Sequence, residues 1–217
     1  MGSVQPMAGT NSSFRMFKTF SGTGTFTANT ASGSSGSAGG GRIAVRLTNG
    51  DFAAGAETNF YARGATVVKD NASSGKSSSA GTVYLQGKSN AEKGGTIYVR
   101  NDKNALNTNT YTPIPAGVTK GGIVPEAVAD FKSASLFVGD CARIKLFENL
   151  KMVSLEMASG TVLDLNGKTL TVNRARVNKI PCLPGNYTPA KLAGYLVDSA
   201  SGGALVVTGG GLHLHIR

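Results

Sequence analysis

His213 and His215 are the only histidines, two residues apart in the closing stretch GGLHLHIR. On a strand that spacing points both imidazoles to one face, as two zinc ligands are presented. No third ligand accompanies them, so the pair reads as exposed rings on a terminal strand, and no metal or other cofactor is expected. Cys141 and Cys182 are the only cysteines, and neither belongs to a CxxC pair. If the chain is extracellular and their strands stack, a bridge closes a loop of about 40 residues and contributes about 4 kcal/mol in the chain-entropy account. The alternative is two separate buried thiols. Arg174, Arg176 and Lys179, in NRARVNK, form the densest basic cluster. On a strand the two arginines share a face and suit an acidic glycan or a phosphate. No aromatic residue is interleaved with them, which argues against nucleic acid.

Acid–base chemistry needs paired carboxylates. The twelve acids of this chain are dispersed, with Asp70, Asp102, Asp130, Asp140 and Asp164 standing singly. Neither a GxSxG elbow nor a GxxxxGK[ST] phosphate loop is present. Lys76, in SSGKSSS, has a serine–lysine look but sits in Gly/Ser filler. The expectation is a protein that is not an enzyme.

The elements that would position these residues are short strands. Of 217 residues 30 are glycine, and only 16% are charged, a composition that favours turns and strands over helices. A glycine-led unit recurs: Gly41-Arg42-Ile43-Ala44-Val45, Gly81-Thr82-Val83-Tyr84-Leu85, Gly95-Thr96-Ile97-Tyr98-Val99 and Gly203-Ala204-Leu205-Val206-Val207. Alternation with period two places each apolar pair on one strand face. The leading glycine is read as the positive-φ residue of a corner. Tyr84 and Tyr98 hold equivalent opposite-face positions, where they would stack on neighbouring strands. From Ala134 the rows come faster: Leu136/Val138, Ile144/Leu146, Val153/Leu155/Met157, Leu163/Leu165 and Leu170/Val172. Turn residues separate them, among them Gly139-Asp140 and Asn166-Gly167. Only Ile123–Phe131, with Pro125 near its start, offers a helical turn.

The spacing predicts an all-β fold in one of two forms. Each turn is a corner of a right-handed parallel β-helix (a β-solenoid), or Asn166-Gly167 closes a hairpin that sets Leu163 opposite Leu170 in an antiparallel β-sandwich. Residues 1–40 form a Gly/Ser-rich N-terminal segment and 41–217 the repetitive domain, with a less regular insertion near 104–133. The interior is expected to hold Ile43, Val45, Val83, Leu85, Ile97, Val99, Leu155, Leu163, Leu165, Leu170 and Val172.

The stretches GGGRIAVRL, AGTVYLQ and GGTIYVRND resemble a module of large secreted surface proteins of Planctomycetes–Verrucomicrobia–Lentisphaerae-type bacteria. VSLEMASGTVLDLNGKTLTV, LPGNYTPAKL and VDSASGGALVVTGGG are similar to their C-terminal unit, which is like autotransporter-associated repeats. The resemblance spans about residues 39–101 and 134–211. It implies an extracellular or cell-surface parallel β-helix with a structural or adhesive role, and it carries no catalytic residue. TPIPAGVTKGGIVPEAVADF, between the two halves, departs from it.

Charge and termini complete the expectation. Lys and Arg outnumber Asp and Glu 22 to 12, a net charge of +10 that draws anionic partners such as acidic glycans. No apolar run approaches the roughly 20 residues of a membrane span. MGSVQPMAGTNSSFRMF lacks the order of a signal peptide, which fits a cytosolic chain or a piece of a longer exported one; the remaining sequence favours the piece. At the other end Leu212, Leu214 and Ile216 continue the strand pattern, either an edge through which the chain would assemble with itself or what a chain cut from a longer protein would leave. The alternatives are a polysaccharide-active β-helix enzyme (lyase or hydrolase) or a glycan-binding module, the latter weakened by the lack of tryptophan.

Overall fold

The computed structural model describes residues 12–17, 20, 24–30, 39–64, 78–90, 94–101, 110–114 and 131–209. Strands dominate them, and the only helical turns among them are 3-10 turns at Ala56–Asn59 and Phe131–Ser133. The rest of the helical turn expected over Ile123–Phe131 lies outside the described residues. The all-β expectation holds.

The strands are β1 (Ser12–Phe17), β2 (Phe26–Thr27), β3 (Arg42–Leu47), β4 (Phe60–Tyr61), β5 (Thr82–Gln86), β6 (Thr96–Arg100), β7 (Thr112–Ile114) and β8 (Ser135–Gly139). They continue as β9 (Arg143–Leu146), β10 (Leu150–Met157), β11 (Val162–Asp164), β12 (Thr169–Val177), β13 (Ile180–Cys182), β14 (Gly185–Tyr187), β15 (Leu196–Val197) and β16 (Ala204–Val207). A main sheet runs β1-β3-β5-β6-β8-β10-β12-β16-β14, with β13 also beside β12. A second sheet runs β7-β9-β11-β15, and β2 pairs with β4. Thus β1 and β2, from the Gly/Ser-rich N-terminal segment, are built into the sheets.

Over β1–β5 and again over β6–β12, consecutive strands alternate between sheets. β8, β10 and β12 lie in the main sheet, with β9 and β11 between them in the second. Each strand then pairs in parallel with the strand one circuit later. Leu136 lies beside Leu155 and Leu155 beside Ala175, sequence steps of 19 and 20 residues. Ile144 and Leu163 repeat the step of 19 in the second sheet. Because a strand alternates with period two, register brings apolar residue onto apolar residue, and every expected interior position is buried. Leu163, Leu165, Leu170 and Val172 are wholly inaccessible to solvent. Deleting one of these side chains leaves a cavity as well as a transfer loss.

Two local expectations fail for instructive reasons. Asn166 and Gly167 both have positive φ (50° and 70°), and Lys168 N–H bonds Leu165 C=O at 2.8 Å, as in a tight turn. Yet the turn is a corner between sheets. Leu163 lies beside Ile144 and Leu196, whereas Leu170 lies beside Leu150 and Leu205, so they are not hairpin partners. The two-residue hairpin is instead at Asn178-Lys179 (φ 48° and 67°), where Val177 pairs antiparallel with Ile180. The glycines that lead the repeats also do other work than expected. Gly81 and Gly95 are absent from the positive-φ residues. A Cβ on Gly81 would lie 1.8 Å from Gly41 O, and one on Gly95 2.4 Å from Leu85 O. They are required because neighbouring backbone passes too close for a side chain.

One strand pair organises the whole molecule. β5 and β6 are antiparallel, with Val83 opposite Tyr98 and Tyr84 opposite Ile97. Directly opposed residues share a face. Val83 and Leu85 belong to a core with Ile43, Val45, Leu47, Phe60 and Ala62, while Ile97 and Val99 belong to the larger core of β8–β12. The two cores therefore lie on opposite faces of one continuous sheet. The sheet keeps growing in one direction while strand direction reverses once. A crossover that keeps its hand under those conditions must change face, so the crossovers of the two halves share one hand.

The far end departs from the 19–20-residue step. Leu170 to Leu205 is 35 residues, and the excess forms the hairpin to β13, then β14, which covers the outer edge of β16. Tyr187, Leu192 and Tyr195 from this excursion pack on the core. The edge of Ala204–Val207 is thus closed; Leu212, Leu214 and Ile216, the expected assembly edge, lie outside the described residues.

Candidate functional site

β12 turns Arg174 and Arg176 to the outer face of the main sheet, beside Ser154 and Glu156 of β10, and both arginines are exposed. Lys179 follows in the exposed hairpin turn. The two arginines therefore share the outer face, with Glu156 directly beside Arg176, and Lys179 stands in the turn that follows.

Cys141 and Cys182 are not bridged, which corrects one alternative of the sequence reading. Cys141 follows β8, whereas Cys182 is in β13, three strand positions across the sheet. At about 4.8 Å per strand that is about 14 Å, twice the roughly 7 Å limit for Cα atoms of a disulfide. Burial raises the Cys182 thiol pKa, which keeps it protonated and a poor nucleophile. His213, His215, Asp70, Asp102, Asp130 and Lys76 lie outside the described residues.

Asp164 is spent on structure. Its Oδ1 accepts the backbone N–H groups of Asn166 and Ser199, both at 3.0 Å, and Oδ2 pairs with Lys145 Nζ at 3.3 Å. Burial pushes its carboxyl upward, but these donors outweigh burial and hold the pKa below the ordinary value. Asp198 does related work: Oδ1 accepts Gly167 N–H and Oδ2 accepts Gly203 N–H, each at 2.6 Å. Both acids tie corners of successive circuits together.

A cleft that the sequence did not reveal opens where the strand direction reverses. One wall is the segment after β3, with Asp51, Phe52 and Glu57; the other is the turn after β5, residues 87–90, with Ser89 and Asn90. Leu85, Thr96 and Tyr98 form its floor, and its volume is about 220 Å³. The walls are clipped together: Lys88 N–H bonds Gly50 C=O at 2.9 Å, and Ser89 gives both its N–H and its hydroxyl to Asp51 Oδ1, each at 2.9 Å. Gly87 is needed at this clip, since a Cβ would sit 2.2 Å from Asp51 Oδ1. Arg100 fixes the far side, donating to the backbone oxygens of Glu57 and Phe60 with its guanidinium 5.3 Å from the Tyr98 ring centroid. Burial first, and then the charges of Glu57 and Glu156, raise the Tyr98 phenol pKa, against the pull of Thr96 and Arg100.

Tyr98 does not stack on Tyr84 as the repeats suggested. Antiparallel pairing turns the two rings to opposite faces, and Tyr98 instead meets Phe137 of β8, with centroids 5.7 Å apart. That contact continues a row on the outer face: Tyr98, Phe137, Glu156 and Arg176 are successive lateral neighbours. The cleft and the two arginines thus lie at two ends of one row, half-buried at Tyr98 and Phe137 and exposed at Glu156 and Arg176. The clues in the sequence were turn residues at 50–51 and 87–90, which signal loops but not which loops meet.

Among the described residues, no group of three or more His, Cys, Asp or Glu could hold a metal ion. No helix there is long and apolar enough to cross a membrane. The strands define an all-β protein of mixed sheets. No protein-family model, curated protein or solved structure matches the chain.

Proposed function

We propose that the chain is a right-handed parallel β-helix module with a structural or adhesive role at a bacterial cell surface. The observation that carries this reading is the regular circuit: parallel strands alternate between two sheets with steps of 19–20 residues over β8–β12. The right hand rests on the strong general preference of parallel crossovers. Support for a structural role comes from Asp164 and Asp198, which are committed to binding circuit to circuit. The excursion through β13 and β14 ends the regular stack as a capping unit does in repeat proteins. The surface location rests on the resemblance of the GGGRIAVRL and GGTIYVRND stretches to secreted bacterial modules.

Arg174, Arg176 and Lys179 supply a contact for acidic glycan in this reading. Protease added to intact cells of the native organism should remove the chain, detected by antibody. Protection until the cells are lysed overturns the surface role. Release of reducing or unsaturated sugar ends from polysaccharides, abolished by Asp51→Asn or Glu57→Gln, would replace it with the polysaccharide-active alternative.

A further inference from the structure

We propose that the cleft between the segment after β3 and the turn at residues 87–90 binds a single uncharged pyranose ring. The inference stands on the cleft alone and does not depend on secretion, adhesion or the β-helix assignment. At about 220 Å³ the cleft is small. That is below the roughly 300 Å³ where drug-sized pockets begin. One ring fits this size class.

The lining chooses the chemistry of that ring. Asp51, Glu57, Ser89, Asn90 and Thr96 make the walls predominantly polar. An apolar ligand would desolvate those groups without replacing their hydrogen bonds. An anionic ligand would meet two carboxylates. A pyranose offers hydroxyls that donate to carboxylate oxygens and accept from hydroxyls, together with a C–H face for an aromatic ring. Tyr98 and Phe52 supply aromatic rings, and the raised pKa keeps the Tyr98 phenol protonated, able to donate. Pre-organisation is visible in the bonds from Ser89 to Asp51, from Lys88 to Gly50 and from Arg100 to Glu57. They hold both walls before any ligand arrives, which reduces the ordering cost of binding.

The test is a titration of the full ¹⁵N-labelled chain, read by amide shifts, with the methyl glycosides of glucose, galactose and mannose and with N-acetylglucosamine. At least one should give saturable shifts centred on Ser89, Asn90, Thr96 and Tyr98. Glu57→Gln and Tyr98→Phe, which keep size and packing, should each weaken that binding about tenfold or more. Three outcomes overturn the proposal: no saturable shift with any of these sugars, saturable shifts unaltered by both variants, or a response of the same amides to spermidine alone. The last would make the cleft a site for an organic cation.

Discussion

The two halves of the main sheet solve one packing problem with different regularity. From β8 to β12 each circuit takes 19 or 20 residues, and inward rows of Leu, Ile, Val and Met stack in register. Around β3 and β5 the step is 40 residues, from Ile43 to Val83, and the aliphatic row is supplemented by phenylalanines. Phe60 is stacked on Phe26 at 5.0 Å, meets Phe52 edge-on at 6.0 Å and lies 5.4 Å from Phe20. Short circuits let small branched side chains fill the interior. In the longer circuit between β3 and β5, large rings take up part of the interior.

Phe60→Ala is the most direct way to break this comparison. It should cost about 3–5 kcal/mol and unfold the first half preferentially. Hydrogen exchange should show lost protection over β3–β5 while β8–β12 stays protected; equal loss in both would make the cores one cooperative unit. Leu165→Ala sharpens the other side, with an expected loss of about 2–5 kcal/mol because the side chain is fully enclosed. A change below about half a kcal/mol, the level of an ordinary surface substitution, in denaturant melts would place Leu165 outside the core.

Asp164→Asn should have a smaller effect, about 1–3 kcal/mol for a buried group deprived of its ionic partner. The folded carboxyl has a lower pKa than the unfolded one, so its contribution is present above the ordinary carboxylate range. It is lost as pH falls through the depressed folded value. Acid titration of stability should consequently be shallower in the variant, and an identical acid limb in both proteins would refute the role given to this residue. The weakest effect belongs to Arg174→Ala with Arg176→Ala, both exposed: each should stay within about 0.5 kcal/mol in thermal melts.

The inward rows were legible because alternation with period two is a property of neighbouring residues. Ile43 and Val45, or Leu163 and Leu165, announce a buried face without reference to anything distant. Strand direction is different. Asn166-Gly167 and Asn178-Lys179 both adopt two positive-φ residues, yet one leads to another sheet and the other folds back. The local chemistry is common to both, and the outcomes differ in which strand the following segment pairs with. The cleft was hidden for a related reason. Asp51 and Ser89 meet only because two loops are brought to one end of β5, and nothing near either residue encodes that meeting.

The antiparallel β5–β6 pair can be regarded as a parity operation on the coil. One reversal exchanges inside and outside for everything downstream, and a second would restore the original assignment. A chain assembled from such circuits can thus choose, by the number of hairpins it inserts, which side of a continuous sheet is sealed and which is left bare. With one inversion this molecule has bare stretches on both sides, each backed by the sealed layer of its neighbour. The two bare faces therefore belong to different strands of the same sheet.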